Sequence, residues 1–372
     1  MNAEKLYKIS SELKDEFDKI NVVNVLTQLK SHLQNMVNQP QQPAHQQNLT
    51  KSKKQLFDYL ETAPSNDFSP IWRQIIEEIG GINLVGKNLK QRIENAFNSN
   101  QITPSSALEE INTILTETQS FYNGLNQINA GFASLNIGME ELEPGHCELS
   151  YLIPRKFTEE NLSSLKKEIA ELNFILNNIS EVATGEKQEF KVNTLSSSDY
   201  TLYIELTLLI GNILIIATEK ILNTYKTILE IKNLRNQLKE KGVPEKETKG
   251  IEQYANSTME TEIVKLAKEM VTQHYKGKDS ARKNELINGL TISFNKIANR
   301  IDNGFNLDIR VETLPEAGKE EEKSAEQKQQ EQFIKNIQKS SKSLEFINTS
   351  GDSILSLEEG KEDVNGTEEN KK

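Results

Sequence analysis

Leu206-Thr-Leu-Leu-Ile-Gly-Asn-Ile-Leu-Ile-Ile-Ala217 is the one long apolar run in this chain. A bilayer-spanning helix needs about 20 mostly apolar residues, and runs of about 10–14 are more often core helices. Glu205 stands before the run, Glu219 and Lys220 follow it, and Asn212 lies inside it. The run therefore predicts a helix enclosed by protein, capped at Ser198 or Asp199 and continuing to about Glu240. Gly242-Val-Pro244 ends it. Beyond the run, Ile221, Tyr225, Ile228, Ile231, Leu234 and Leu238 recur at helical spacing and form the expected interaction face, for a partner helix in the same chain or in a second copy.

Downstream, the periodicity predicts helices over 249–275 and 280–302, split by Lys276-Gly-Lys278, so residues 201–303 read as a long-helix bundle. Upstream, Glu148-Leu-Ser-Tyr-Leu-Ile-Pro154 is strand-like, and Pro154 closes it. A helix follows, with Thr158 as its expected cap and Leu162, Leu165, Ile169, Leu172, Ile175 and Leu176 on one face. Glu189-Phe-Lys-Val-Asn-Thr-Leu195 then alternates with period two. Residues 136–200 thus form a β-α-β element, to which 307–314 could add a strand. Residues 1–37 read as an amphipathic helix and 38–52, with two prolines, as a polar linker. Residues 53–135 read as a helical domain. Within it, Ser69-Pro70 and Thr103-Pro104 each place a hydroxyl before a proline at the first helical position. After Pro315 the composition turns to Glu, Lys, Gln, Ser and Asn, so 315–372 is expected to be a disordered acidic tail with a transient helix near 333–337. The fold class expected is mainly α with a small α+β element, helical bundles flanking the β-α-β unit.

The formal net charge of −11 argues against a general nucleic-acid binder, because an acidic surface repels phosphate. Cys147 is the single cysteine, which excludes an intrachain disulfide and a Cys-based zinc site within one chain. The N-terminus lacks the apolar core of a signal peptide, and with the lone cysteine this predicts a cytoplasmic protein.

Three sequence features invite chemistry and fail to carry it. Gly81-Ile-Asn-Leu-Val-Gly86-Lys87-Asn88 has P-loop spacing, yet Asn88 stands where magnesium needs a hydroxyl, and the loop follows a helix instead of a strand. His146 and Cys147 are adjacent on an extended chain and point to opposite faces. Ser196-Ser-Ser-Asp199 reads as turn and cap residues, without the glycine-flanked turn of a nucleophile elbow. No catalytic residue, metal ligand or cofactor is assigned. Trp72 with Arg73 is the minor candidate for a binding hot spot, against core packing of the ring.

Asn66-Asp-Phe-Ser-Pro-Ile-Trp-Arg73, Asn100-Gln-Ile-Thr-Pro104, Tyr225-Lys-Thr-Ile-Leu-Glu-Ile-Lys-Asn-Leu-Arg235 and Gly242-Val-Pro-Glu245 together resemble an uncharacterised bacterial cytoplasmic protein family. The resemblance covers most of the chain before the tail. It implies source and compartment, with no established activity or site residues. The expected function is an interaction or scaffold protein that self-associates, or binds another protein, through its long amphipathic helices. The alternative is a regulated membrane-perturbing effector, of the kind used in defence, that deploys the 206–217 segment. The third reading is an enzyme whose groups gather from distant segments.

Overall fold

Asn21 adopts left-handed backbone, φ 53°, and its side chain accepts the Asn24 amide, so the N-terminal stripe breaks into α1 (Ala3–Ile20) and α2 (Val22–Asn38). The structure, a computed structural model, describes residues 3–100, 103–159, 161–196, 200–312, 324–344 and 352–360. It is mainly α-helical with a small antiparallel sheet, and it divides into units 1–141 and 142–372.

The first unit is helical. After α2 come α3 (Pro43–Glu61), α4 (Pro70–Glu78), α5 (Gly86–Ser99) and α6 (Pro104–Ser134). The stretch 38–52 is not a linker. Pro43 sits in the first turn of α3, where its missing N–H costs nothing, and Leu49, Leu56 and Leu60 are buried. Ser69 caps α4 through the Trp72 amide, as the sequence predicts, and Gly80, φ 76°, turns the chain after it.

The second unit carries β1 (His146–Leu152), α7 (Arg155–Thr158), α8 (Leu162–Thr184), β2 (Val192–Ser196) and β3 (Thr201–Thr207). It continues through α9 (Leu208–Glu240), α10 (Glu245–His274), α11 (Ser280–Asp302), β4 (Asn306–Val311) and α12 (Ala325–Ser343). The strand order is β2-β3-β1-β4, with every neighbouring pair antiparallel. Two antiparallel steps make β1 and β2 run in the same direction, with β3 between them. The β-α-β unit is therefore present as β1-α8-β2, but split by an inserted strand.

That strand corrects the reading of the apolar run. Leu206 and Thr207 belong to β3, and the helix begins at Leu208 with no intervening loop. Thr201 to Thr207 is rich in β-branched and aromatic residues, which suits a central strand buried on both faces. The expected caps Ser198 and Asp199 lie outside the described residues. Likewise Thr158 ends the short α7, and it is Asn161 that caps α8 through the Ser164 amide, 2.8 Å.

Register fixes the two faces of the sheet. Cys147, Leu149 and Tyr151 lie beside Leu206, Ile204 and Leu202 on one side and Val311, Ile309 and Leu307 on the other. This apolar face joins the core of α8, α9 and α11 through residues such as Ile175, Ile213 and Phe294. Glu148, Ser150, Tyr203, Asp308 and Arg310 alternate with them on the opposite face and are buried as well.

Part of the expected tail is folded. Ser324 and Gln327 form a capping box at α12, and Ile334, Ile337 and Leu344 are buried. Ile354, Leu355 and Leu357 are also buried. These apolar residues at spacings of one to four give a polar sequence enough anchors to dock, which bulk composition conceals. Residues 313–323, 345–351 and 361–372 of the C-terminal region lie outside the described residues.

Where α9 leaves the sheet it passes close to β1. A Cβ built on Gly211 would lie 2.2 Å from Cys147 Sγ, so only glycine fits. Gly211→Ala is expected to cost about 1–3 kcal/mol by overpacking. Cys147→Ala removes the obstructing sulfur, so the double variant should be more stable than the sum of the two single changes. Urea denaturation of the four proteins tests this; strictly additive effects would disprove the contact.

Candidate interaction site

The expected face of α9 is divided by the fold. Ile221, Tyr225 and Ile228 are buried inside the second unit. Ile231 and Leu238 are half-buried, and Leu234 is 53% exposed. The buried stripe continues from Ile228 through Lys232 and Arg235, at steps of four and three, and not through Ile231 and Leu234. A lysine and an arginine thus occupy the inward line of the helix, while a leucine faces outward.

Lys232 is accommodated because Asp302, at the end of α11, waits for it. Lys232 Nζ donates to Asp302 Oδ1 at 2.8 Å and to the Asp302 carbonyl at 3.2 Å, with both side chains fully enclosed. Tyr225 donates its hydroxyl proton to the same Oδ1 at 2.6 Å. Burial, then the charge of Asp302, raises the Tyr225 pKa well above the ordinary phenol value. Oδ2 accepts the Ile354 and Leu355 amides at 2.6 and 2.7 Å. Arg235 closes the outer end of the hairpin on Glu252, 3.1 Å.

A second buried group of charges joins α8 to α11. Arg300 meets Glu168 through Nε at 2.8 Å and Nη2 at 3.3 Å, a two-point contact. Lys296 meets Glu171 at 2.5 Å. Burial raises the Glu168 pKa even though Arg300 pulls it down. On the polar sheet face, Arg310 Nε lies 3.7 Å from Glu148, and Ser341 donates to Asp308 at 2.7 Å. Each of these charged groups has a partner within the chain.

The weaker sequence candidates resolve into packing. Trp72 is buried edge-on against Phe68, with ring centroids 4.9 Å apart, and Arg73 Nε donates to the Phe68 carbonyl at 2.8 Å. The glycine loop before α5 does collect an anion, and the anion is internal. Glu16 of α1 accepts from Ser65 N at 2.7 Å, from Ser65 Oγ at 2.9 Å and from the Gly86 amide. Gly86, φ 47°, has no room for a Cβ, which would lie 2.3 Å from Asn66 Oδ1. Burial outweighs these hydrogen bonds and raises the Glu16 pKa.

His146 and Cys147 diverge as predicted. Cys147 is buried under α9, and burial pushes its thiol pKa far up, which leaves it unreactive. His146 instead converges with Glu143 and Glu205, the three nearest donor atoms lying within 4.8 Å of one another. A carboxylate–imidazole cluster of this size could hold a cation, but Lys191 Nζ already lies 2.9 Å from Glu205 and 3.7 Å from Glu143. The convergence comes from the β1–β3 register, which sequence spacing does not show.

In comparisons with known proteins, the chain matches no family model, no curated protein and no solved structure.

Two measurements check this electrostatic account. Lys232→Ala should cost about 3–5 kcal/mol, because it leaves Asp302 charged and enclosed, while Leu234→Ala should cost under about 0.5 kcal/mol. Equal losses would place Lys232 at the surface. For Glu16 the sign follows from its raised pKa: the folded chain holds the proton more tightly, so stability present at low pH is lost as pH rises through the raised value. Glu16→Gln should remove that part of the slope, which lies above the ordinary glutamate pKa. Parallel stability profiles for the two chains would mean that Glu16 titrates normally.

Proposed function

We propose that this chain is a bacterial, cytoplasmic interaction or scaffold protein that self-associates through the outer half of α9. The observation that supports it is the partly exposed stripe Ile231, Leu234 and Leu238, spaced three and four apart. The inner half of the same helix is consumed by the chain's own core, which leaves this stripe of α9 to meet a second copy. Fully burying one exposed large apolar side chain contributes about 1.5–3 kcal/mol, and these side chains are already partly covered, so each contributes less than that. Association costs roughly 4–15 kcal/mol in lost freedom, so the expected assembly is weak and concentration-dependent.

A second reading has one observation in its favour. Among the described residues, α9 is long and apolar enough to cross a membrane by length and composition. Its most apolar window is about two-thirds buried within the fold, as in the core helix of a folded unit. A membrane effector would have to withdraw that helix from its own core.

Light scattering separates the readings. The purified chain should gain mass with concentration, and the pair Ile231→Asp and Leu234→Asp should abolish the gain while leaving the helical spectrum intact. Unchanged mass in a folded variant would eliminate self-association through this stripe. Quantitative transfer of the wild-type chain onto added liposomes would favour the effector.

A further inference from the structure

Asp352-Ser-Ile-Leu-Ser-Leu-Glu-Glu-Gly360 is held like a bound peptide. Among the described residues it forms neither helix nor strand, and side chains, not a backbone ladder, satisfy its main chain. The Ile354 and Leu355 amides donate to Asp302. The Ser356 amide donates to Asn256 Oδ1 at 2.7 Å, and Asn256 Nδ2 returns a bond to the Ile354 carbonyl at 3.1 Å. One turn-end away, Asn299 accepts from the Leu357 amide at 3.1 Å and donates to the Leu357 carbonyl at 3.0 Å. Asn295 Nδ2 donates to the Glu358 carbonyl at 2.8 Å.

The side chains alternate in purpose. Ile354, Leu355 and Leu357 are buried, while Ser353, Ser356 and Glu358 are exposed. Cations hold both ends. Lys239 of α9 meets Asp352 at 2.9 Å. Arg300 and Lys296 of α11 lie 3.4 and 3.5 Å from Glu359, whose carboxylate also accepts from Asn299 Nδ2 at 2.7 Å.

We propose that the groove across α9, α10 and α11 is a peptide-binding site occupied in cis by 352–360. Its ligand in trans is an extended segment of a partner protein with the pattern acid-x-apolar-apolar-x-apolar-x-acid. Asparagine side chains that bond both an amide and a carbonyl recognise extended main chain, as an open strand edge does, and the apolar and cationic contacts set the pattern. None of these contacts requires the occupant to be tethered. The tether gives the chain's own segment a local concentration on the order of millimolar, so it shields the site until it is displaced. None of the polar contacts that hold 352–360 comes from Ile231, Leu234 or Leu238 of the outer stripe of α9.

The test uses the full-length chain and a fluorescein-labelled synthetic peptide of residues 352–360, read by anisotropy. Leu355→Asp with Leu357→Asp should vacate the groove and tighten peptide binding by at least about tenfold over the wild-type chain. Adding Asn256→Ala and Asn299→Ala should remove that gain, and a scrambled peptide should not bind. A folded, vacated chain that ignores the peptide, or takes the scrambled one equally, overturns the proposal. A wild-type dimer that becomes monomeric on vacating the groove would assign it to a second copy and overturn the partner. Hydrogen exchange on the wild-type chain decides the matter even if the variants do not fold. The Ile354, Leu355 and Leu357 amides should exchange at least about a hundredfold faster than the amides inside α11. Equal protection would make the segment an integral part of the core and end the proposal.

Discussion

The buried carboxylate of Asp302 is the joint on which the second unit depends. It receives the Lys232 ammonium and the Tyr225 hydroxyl from α9, ends α11 itself, and accepts two amides from 352–360. An isolated carboxylate in such a place would shift its pKa and go neutral. Here four donors from two separate parts of the chain, α9 and 352–360, satisfy its oxygens. A network of this kind contributes little net stability compared with an apolar core of the same volume. Its effect is on geometry: it sets the rotation of α9 about its own axis and its register against α11.

This constraint explains where the sequence was legible. Helices end where cap and breaker residues dictate, as at Ser69, Gly80, Gly242 and Asp279, because those signals act within one turn. The strand at 307–311 is legible for the same reason, since alternation is a local property. Thr201–Thr207 was not, because an apolar strand that enters a helix without a loop presents one continuous run. Period two and period 3.6 cannot be separated in a run that is apolar on every side.

The site residues failed in a more instructive way. Leu234, expected on the interaction face with Ile221, Tyr225 and Ile228, is exposed while Lys232 is buried, because hydrophobicity alone does not assign the faces of α9. The buried line 221, 225, 228, 232, 235 keeps helical spacing, but its last two members are cationic and become core only because Asp302 and Glu252 lie opposite. Complementary charge from 70 residues away has no local signature. The anchors at Ile354, Leu355 and Leu357 were hidden differently: they form a small apolar island in a polar tract, and averaging over the tract erased it.

The same network bears on the two functional readings. Withdrawing the apolar part of α9 into a bilayer would take Asn212, Glu219 and Lys220 with it and pull Lys232 and Arg235 away from their partners. A charged side chain at the centre of a spanning helix costs about 2.5–3.5 kcal/mol on insertion scales. The protein would also lose the Lys232–Asp302 contact and leave a bare carboxylate in the remaining core, a further cost of about 3–5 kcal/mol. Set against this, Asn212 gives α9 little to lose locally, since among the described residues its Oδ1 accepts no hydrogen bond. The balance of these costs is against withdrawal of the helix.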